Sequence, residues 1–130
     1  MQTMIEILAY VGCFIFACLA IFQIALVAGA PIGRFAWGGK NRILPMGLRV
    51  GSVIAVLLYV LFAAVLLTKA GVATLIDSEV FVDVTLWIIT GYLFIGIIMN
   101  AISRSKPERF VMTPVAAILA AVFLIVGLGG

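Results

Sequence analysis

The chain of 130 residues contains no histidine. This removes the commonest metal ligand and the usual general base, and it excludes a histidine-ligated haem. Cysteine is scarce as well, with only Cys13 and Cys18, both inside one apolar run. On a helix two residues five apart point about 140° from each other, so these thiols cannot pair within the run. Charge is the third scarcity. Aspartate, glutamate, lysine and arginine make up 10% of the residues, where globular domains carry about a quarter. The net charge of +3 does not gather on any basic helix or stripe free of apolar sequence, so nucleic acid is excluded as a partner.

What is present in excess is apolar surface, at 66% of the residues. A chain of this length has room for one domain and too poor a ratio of volume to surface to hide that much from water. A lipid bilayer is the partner that accounts for the composition. Four apolar segments predict spans at about 5–28, 45–68, 81–102 and 110–128, each near the ~20 residues that cross ~30 Å of hydrocarbon. None shows the period of two expected of a membrane barrel. The reading is a single all-α domain over 1–130, an integral membrane four-helix bundle. The first segment ends in Ala28-Gly29-Ala30, which has the look of a secretory cleavage site. It is too long for a signal core and lacks an N-terminal cation, so it is read as a span.

The longest interruption, Gly29 to Ser52, is rich in glycine, proline, cation and aromatic, and it holds Arg34, Lys40, Arg42 and Arg49. The third connection adds Arg104, Lys106 and Arg109, while the second has only Lys69. Connections one and three share a side. That side carries seven of the eight basic residues and one of the five acids, for +6, and the other side carries one base and four acids, for −3. The positive-inside rule places the basic side in the cytoplasm. Both termini are then expected on the non-cytoplasmic side of a multi-pass protein of the cell inner (plasma) membrane.

Local signals mark the ends. Gly29 followed by Pro31 suits a terminating turn of the first span, and Pro45 suits the start of the second. Gln23 is the one strongly polar side chain well inside the first span, on a face shared with Gly12, Phe16, Ala20 and Val27. Asn100 lies near the end of the third span, with Gly96 one turn earlier. Arg49 sits one turn inside the second span between Gly47 and Gly51, a small-xxx-small pair that admits a neighbouring helix. A guanidinium at mid-membrane depth costs at least about 2.5–3.5 kcal/mol, less near the interface. Arg49 is therefore expected to snorkel or to bind a carboxylate such as Glu108 or an anionic ligand.

Gln23, Arg34, Arg49, Ser52, Asn100, Arg104, Glu108 and Thr113 fall at one depth, so four packed helices would line one vestibule with them. Gly38-Gly39 beside Trp37 is a candidate nest of backbone N–H groups for an anion, and Trp37 is also suited to anchoring at the interface. The candidate ligand-binding set is Gln23, Arg34, Trp37, Arg49, Asn100 and Arg104. Tyr59, Trp87 and Tyr92 read as packing or lipid contact, and Asp77, Glu79 and Asp83 as a solvated face at a helix start.

The pattern GAPIGRFAWGG, Leu44-Pro45, Leu48-Arg49 with Ser52, then NAISRSKPER and Thr113-Pro114, resembles a set of small four-helix bacterial membrane proteins of uncharacterised activity. The resemblance covers about residues 23–52 and 100–114. It implies four spans with two distinctive basic connections, and no cofactor or catalytic residue. Small multidrug exporters carry an acid deep in the first span, whereas Glu6 here precedes it. Vitamin K reductase-type thiol oxidation needs Cys-x-x-Cys, and a retinal Schiff base needs a mid-membrane lysine.

Three functions are compatible with this pattern. The first is binding or transport of an anionic or lipid-like small molecule at the basic-side vestibule, by a homo-oligomer if transport is involved. The second is an accessory or structural subunit of a larger membrane complex. The third, a lipid enzyme, is disfavoured, because no cysteine stands near a base and no carboxylate pair lies in the bundle. No cofactor or metal is expected.

Overall fold

The computed structural model describes residues 1–130 and contains four long helices: α1 (Gln2–Val27), α2 (Met46–Lys69), α3 (Glu79–Ala101) and α4 (Lys106–Gly129). Two short 3-10 turns, Gly33–Phe35 and Trp37–Gly39, fill the α1–α2 connection. At 1.5 Å per residue the helices are about 35–39 Å long, enough to cross the ~30 Å hydrocarbon layer. All four are apolar enough to do so, and the molecule is a small four-helix membrane protein. Its apolar side chains point outward on every helix, among them Phe14, Leu57, Ile88 and Phe110. In water such a surface would be a large liability, and in lipid it is the solvated face.

The helix ends follow local rules. At the end of α1 the Gly29 amide donates to Leu26 and the Ala30 amide to Ala25, a Schellman turn whose C′ residue is Gly29 at φ +93°. The end of α2 repeats it with Gly71, through Gly71 to Thr68 and Val72 to Leu67. Pro45 stands just before α2 as its N-cap. Helix α4 begins four residues before the expected Phe110. Ser105 caps it by accepting from the Glu108 amide, and Pro107 sits in its first turn.

The helices run up and down in sequence order. Packing is closest between α1 and α2 and between α3 and α4, and α1 with α4 and α2 with α3 complete the ring. Gly12 makes the first pair tight, since a Cβ there would meet the Leu66 side chain at 2.5 Å. Phe16 of α1 is the aromatic hub. It stacks on Tyr59 at 5.7 Å and meets Phe62 and Phe123 edge-on at 5.9 Å, while Phe62 reaches Tyr92 of α3 at 6.0 Å.

One end of the bundle is clasped by polar contacts. Lys69 pairs with Asp83 at 2.7 Å, and the Gln2 amide donates to the Ala70 carbonyl at 2.7 Å. Gly129 and Gly130 lie against Ile5 and Lys69, so both termini share this end with the α2–α3 connection. The other end, which holds the α1–α2 and α3–α4 connections, is the basic end.

Candidate functional site

The basic end is built around the α1–α2 connection, which folds back onto the bundle instead of lying free. Trp37, Gly38 and Gly39 all take positive φ, at +52°, +77° and +72°. A bulky residue there is a genuine outlier, and strain of this kind persists only where the surroundings impose it. They do so here. The Trp37 indole lies over Gly51, where a Cβ would come within 2.9 Å of the ring, and its Nε1 donates to the fully buried Ser52 at 3.3 Å. Gly39 packs against Ser105, whose hydroxyl donates to the Arg34 carbonyl. Gly33 is seated against the backbone of Asn41 and Arg42 and donates its amide to the Arg42 carbonyl at 2.8 Å.

Glu108 stands at N3 of α4, three residues after its Ser105 cap. In a capping box the N3 carboxylate turns back to the cap residue's own amide. Here the Ser105 amide donates to Ser103 instead, and Glu108 Oε2 accepts from the Gly38 amide at 3.1 Å. The candidate anion nest at Gly38 is thus occupied by the protein's own carboxylate. Glu108 is 7% exposed, and no cation pairs with it, because the one ion pair in the structure is Lys69–Asp83.

Beneath this lid lies a cavity of about 270 Å³ lined by all four helices and the connection, with 15 of its 19 lining residues hydrophobic. Phe16, Phe22, Phe35, Tyr59, Phe62 and Tyr92 form aromatic walls. The polar groups are few and cluster toward the basic end. They are Gln23 from α1, Trp37 from the connection, Asn100 from α3 and Glu108 from α4. Gln23 donates Nε2 to the Tyr59 hydroxyl over a long 3.4 Å, and its Oε1 is buried with no partner. Asn100 Nδ2 donates to the Gly96 carbonyl one turn back at 2.8 Å. Two of its lining residues are exposed at the molecular surface, Tyr92 of α3 at 59% and Trp37 of the connection at 45%.

Of the six sequence candidates, Gln23, Trp37 and Asn100 line this cavity and the three arginines do not. Arg34 and Arg104 are exposed, and Arg34 lies over the neighbouring Phe35 ring at 5.9 Å. Arg49 does not meet Glu108. Its Nε donates to the Leu44 carbonyl at 2.8 Å and its guanidinium lies against Gly29, tying the end of α1 to the start of α2. The reason is local: Leu44 immediately precedes the same helix and supplies a carbonyl within reach. The close approach of a helix expected at Gly47 and Gly51 is not made by any helix of this chain. Gly51 receives the Trp37 indole, and a Cβ at Gly47 would meet nothing within 4 Å.

Tyr59 and Tyr92 went unrecognised in the sequence as cavity groups, because they read as packing and nothing in their spacing separates the two roles. Glu108 was expected at vestibule depth and lines the cavity, but its contact was not foreseen, since Ser-x-x-Glu at a helix start sends the carboxylate back to its own cap. The partner it takes is 70 residues away. Comparison with protein-family models, with curated proteins and with solved structures gives no match.

Proposed function

We propose that this protein is a membrane-embedded binding module for a lipid-like small molecule, which enters from the bilayer between α2 and α3 and is read by the polar groups under the connection. The observation that supports it is the cavity itself. It combines aromatic walls with a few convergent polar groups, one of them the unpartnered Gln23 Oε1, as small-molecule sites do. At about 270 Å³ it lies near the lower end of the ~300–1,000 Å³ typical of such sites. It therefore suits a head and its first carbons, with the remainder of the molecule in lipid. The anionic class of ligand considered from the sequence has no cationic wall here, because Arg34, Arg49 and Arg104 stand outside the cavity.

In this reading the basic end faces the cytoplasm, as the charge asymmetry directs, and the ligand is held at the cytoplasmic half of the cell membrane. The test is photocrosslinking in nanodiscs with a twelve-carbon diazirine alcohol. Adducts are expected at Tyr59, Tyr92 and Met112, and Ala55→Phe, which fills the cavity from α2, lowers them at least fivefold. Adducts spread evenly over the outward faces, unchanged in that variant, refute the reading.

A second reading has its own observation. Gly47 and Gly91 are open on the outer surface, with nothing within 4 Å of a Cβ at either, and small residues on an outer face allow close helix approach. This supports a subunit of a larger assembly, including a homo-oligomer. Native mass spectrometry from mild detergent reports the copy number directly.

A further inference from the structure

The chemistry of the cavity selects among lipid-like ligands. Three of its side chains carry an acceptor without a donor. Gln23 Oε1 is buried without a donor. Asn100 spends an N–H on Gly96, which leaves its carbonyl oxygen. Glu108 accepts one bond, from the Gly38 amide through Oε2, and Oε1 has no bond. Two N–H donors are spent, Trp37 Nε1 on Ser52 and Gln23 Nε2 on Tyr59, while the Tyr59 and Tyr92 hydroxyls donate to no other group of the protein. A carboxylate buried to 7% exposure in a cavity with aromatic walls, with no cationic nitrogen of the protein within 4 Å, is an unpaired charge in a costly place. The first turn of α4 favours its sign but supplies no counter-ion. A ligand ammonium meets every one of these demands. It donates up to three N–H bonds to acceptors that lack them, it neutralises Glu108, and aromatic faces attract it.

We infer that the site takes a protonated amine carried on an apolar body, its ammonium at Glu108 and its chain directed out between α2 and α3. This inference rests on the binding reading above and adds the ligand's charge. The same chemistry is offered by a free amphipathic amine and by the ethanolamine head of a phospholipid.

The experiment uses the full chain in phosphatidylcholine nanodiscs. Trp37 emission serves as the reporter in a Trp87→Phe background, because Trp37 lines the cavity and Trp87 does not. Dodecylamine, dodecanol and dodecanoate are titrated. Dodecylamine is expected to change the emission saturably, at concentrations at least tenfold below dodecanol, with dodecanoate weakest. Glu108→Gln keeps an oxygen for the Gly38 amide, so the lid stays in place. It should weaken dodecylamine at least tenfold and leave dodecanol within twofold. Repeating the titration with phosphatidylethanolamine in the disc separates the sources. Competition that disappears in Glu108→Gln identifies the lipid head, and unchanged affinity identifies a free amine. Equal binding of amine and alcohol, tighter binding of dodecanoate, or an amine preference that survives Glu108→Gln overturns the inference while leaving the binding reading intact. No response to any of the three removes both.

Discussion

The contact between the α1–α2 connection and the cap of α4 is where the structure makes its most demanding stability statement, and Gly39 tests it. Gly38 and Gly39 share the left-handed conformation, at φ +77° and +72°, but a Cβ at Gly38 would meet nothing within 4 Å. At Gly39 it would lie 2.5 Å from Ser105 Oγ, closer still to the Ser105 Cβ, and 2.9 Å from the Arg34 carbonyl oxygen. Left-handed backbone costs an L-residue roughly 1–2 kcal/mol, offset in part by the ~0.4–1 kcal/mol that Gly→Ala removes from unfolded-chain entropy. Gly38→Ala is therefore expected to lose about 1 kcal/mol. Gly39→Ala adds overpacking of about 1–3 kcal/mol and strains the Ser105–Arg34 hydrogen bond, worth about 0.5–1.5 kcal/mol, for a total of about 2.5–5.5 kcal/mol. Ser105→Gly costs that bond and only a few tenths of a kcal/mol as a cap, and it opens the space a new Cβ needs. The double variant Gly39→Ala/Ser105→Gly should thus be about 1–3 kcal/mol more stable than the sum of the singles. The assay is reversible unfolding by dodecyl sulfate in mixed micelles, followed by near-UV circular dichroism. Additivity within about 0.5 kcal/mol is what independent sites show, and finding it here would mean that the connection does not rest on α4.

Other expectations follow from single contacts. Gln23→Leu removes a long bond to Tyr59 and an acceptor with no partner. Stability in the same assay should change by less than about 1 kcal/mol, and a loss above about 2 kcal/mol would show a donor to Gln23 that the structure does not contain. Gly91→Ala, in the middle of α3 with open space around its Cβ, should stabilise by about 0.8–1 kcal/mol on helix propensity alone. A loss, together with a lower mass in native spectrometry, would place a second copy on that face. Asp83→Asn breaks the Lys69 pair, whose Asp83 side chain is 50% exposed. It should cost no more than about 1 kcal/mol, less at high salt.

Much of the fold was readable because its causes are local or set by the solvent. The spans come from runs of apolar residues, and two of their ends from Gly29 and Pro45, each of which acts within a turn of its own position. The apolar pattern alone placed the start of α4 four residues late, because the Ser105 cap lies outside the greasy run. The candidate site was half readable. Depth along the helices gathered Gln23, Asn100 and Glu108 at the level of one cavity, since depth is a matter of counting residues at 1.5 Å each, and Trp37 entered through the glycine motif beside it. The direction of the arginines was not readable from depth, because a long cation takes the nearest acceptor or water.

The sequence by itself determined that the chain spans lipid four times, with its cations gathered at one end, because composition and periodicity meet the bilayer directly. Only the tertiary structure decided that end's chemistry. Folding brings the Gly38 amide to a carboxylate 70 residues later in the chain and keeps Arg34, Arg49 and Arg104 out of the cavity, leaving acceptors where cations had been expected. That outcome depends on which distant groups the packed helices bring within reach of one another, and no local pattern encodes it.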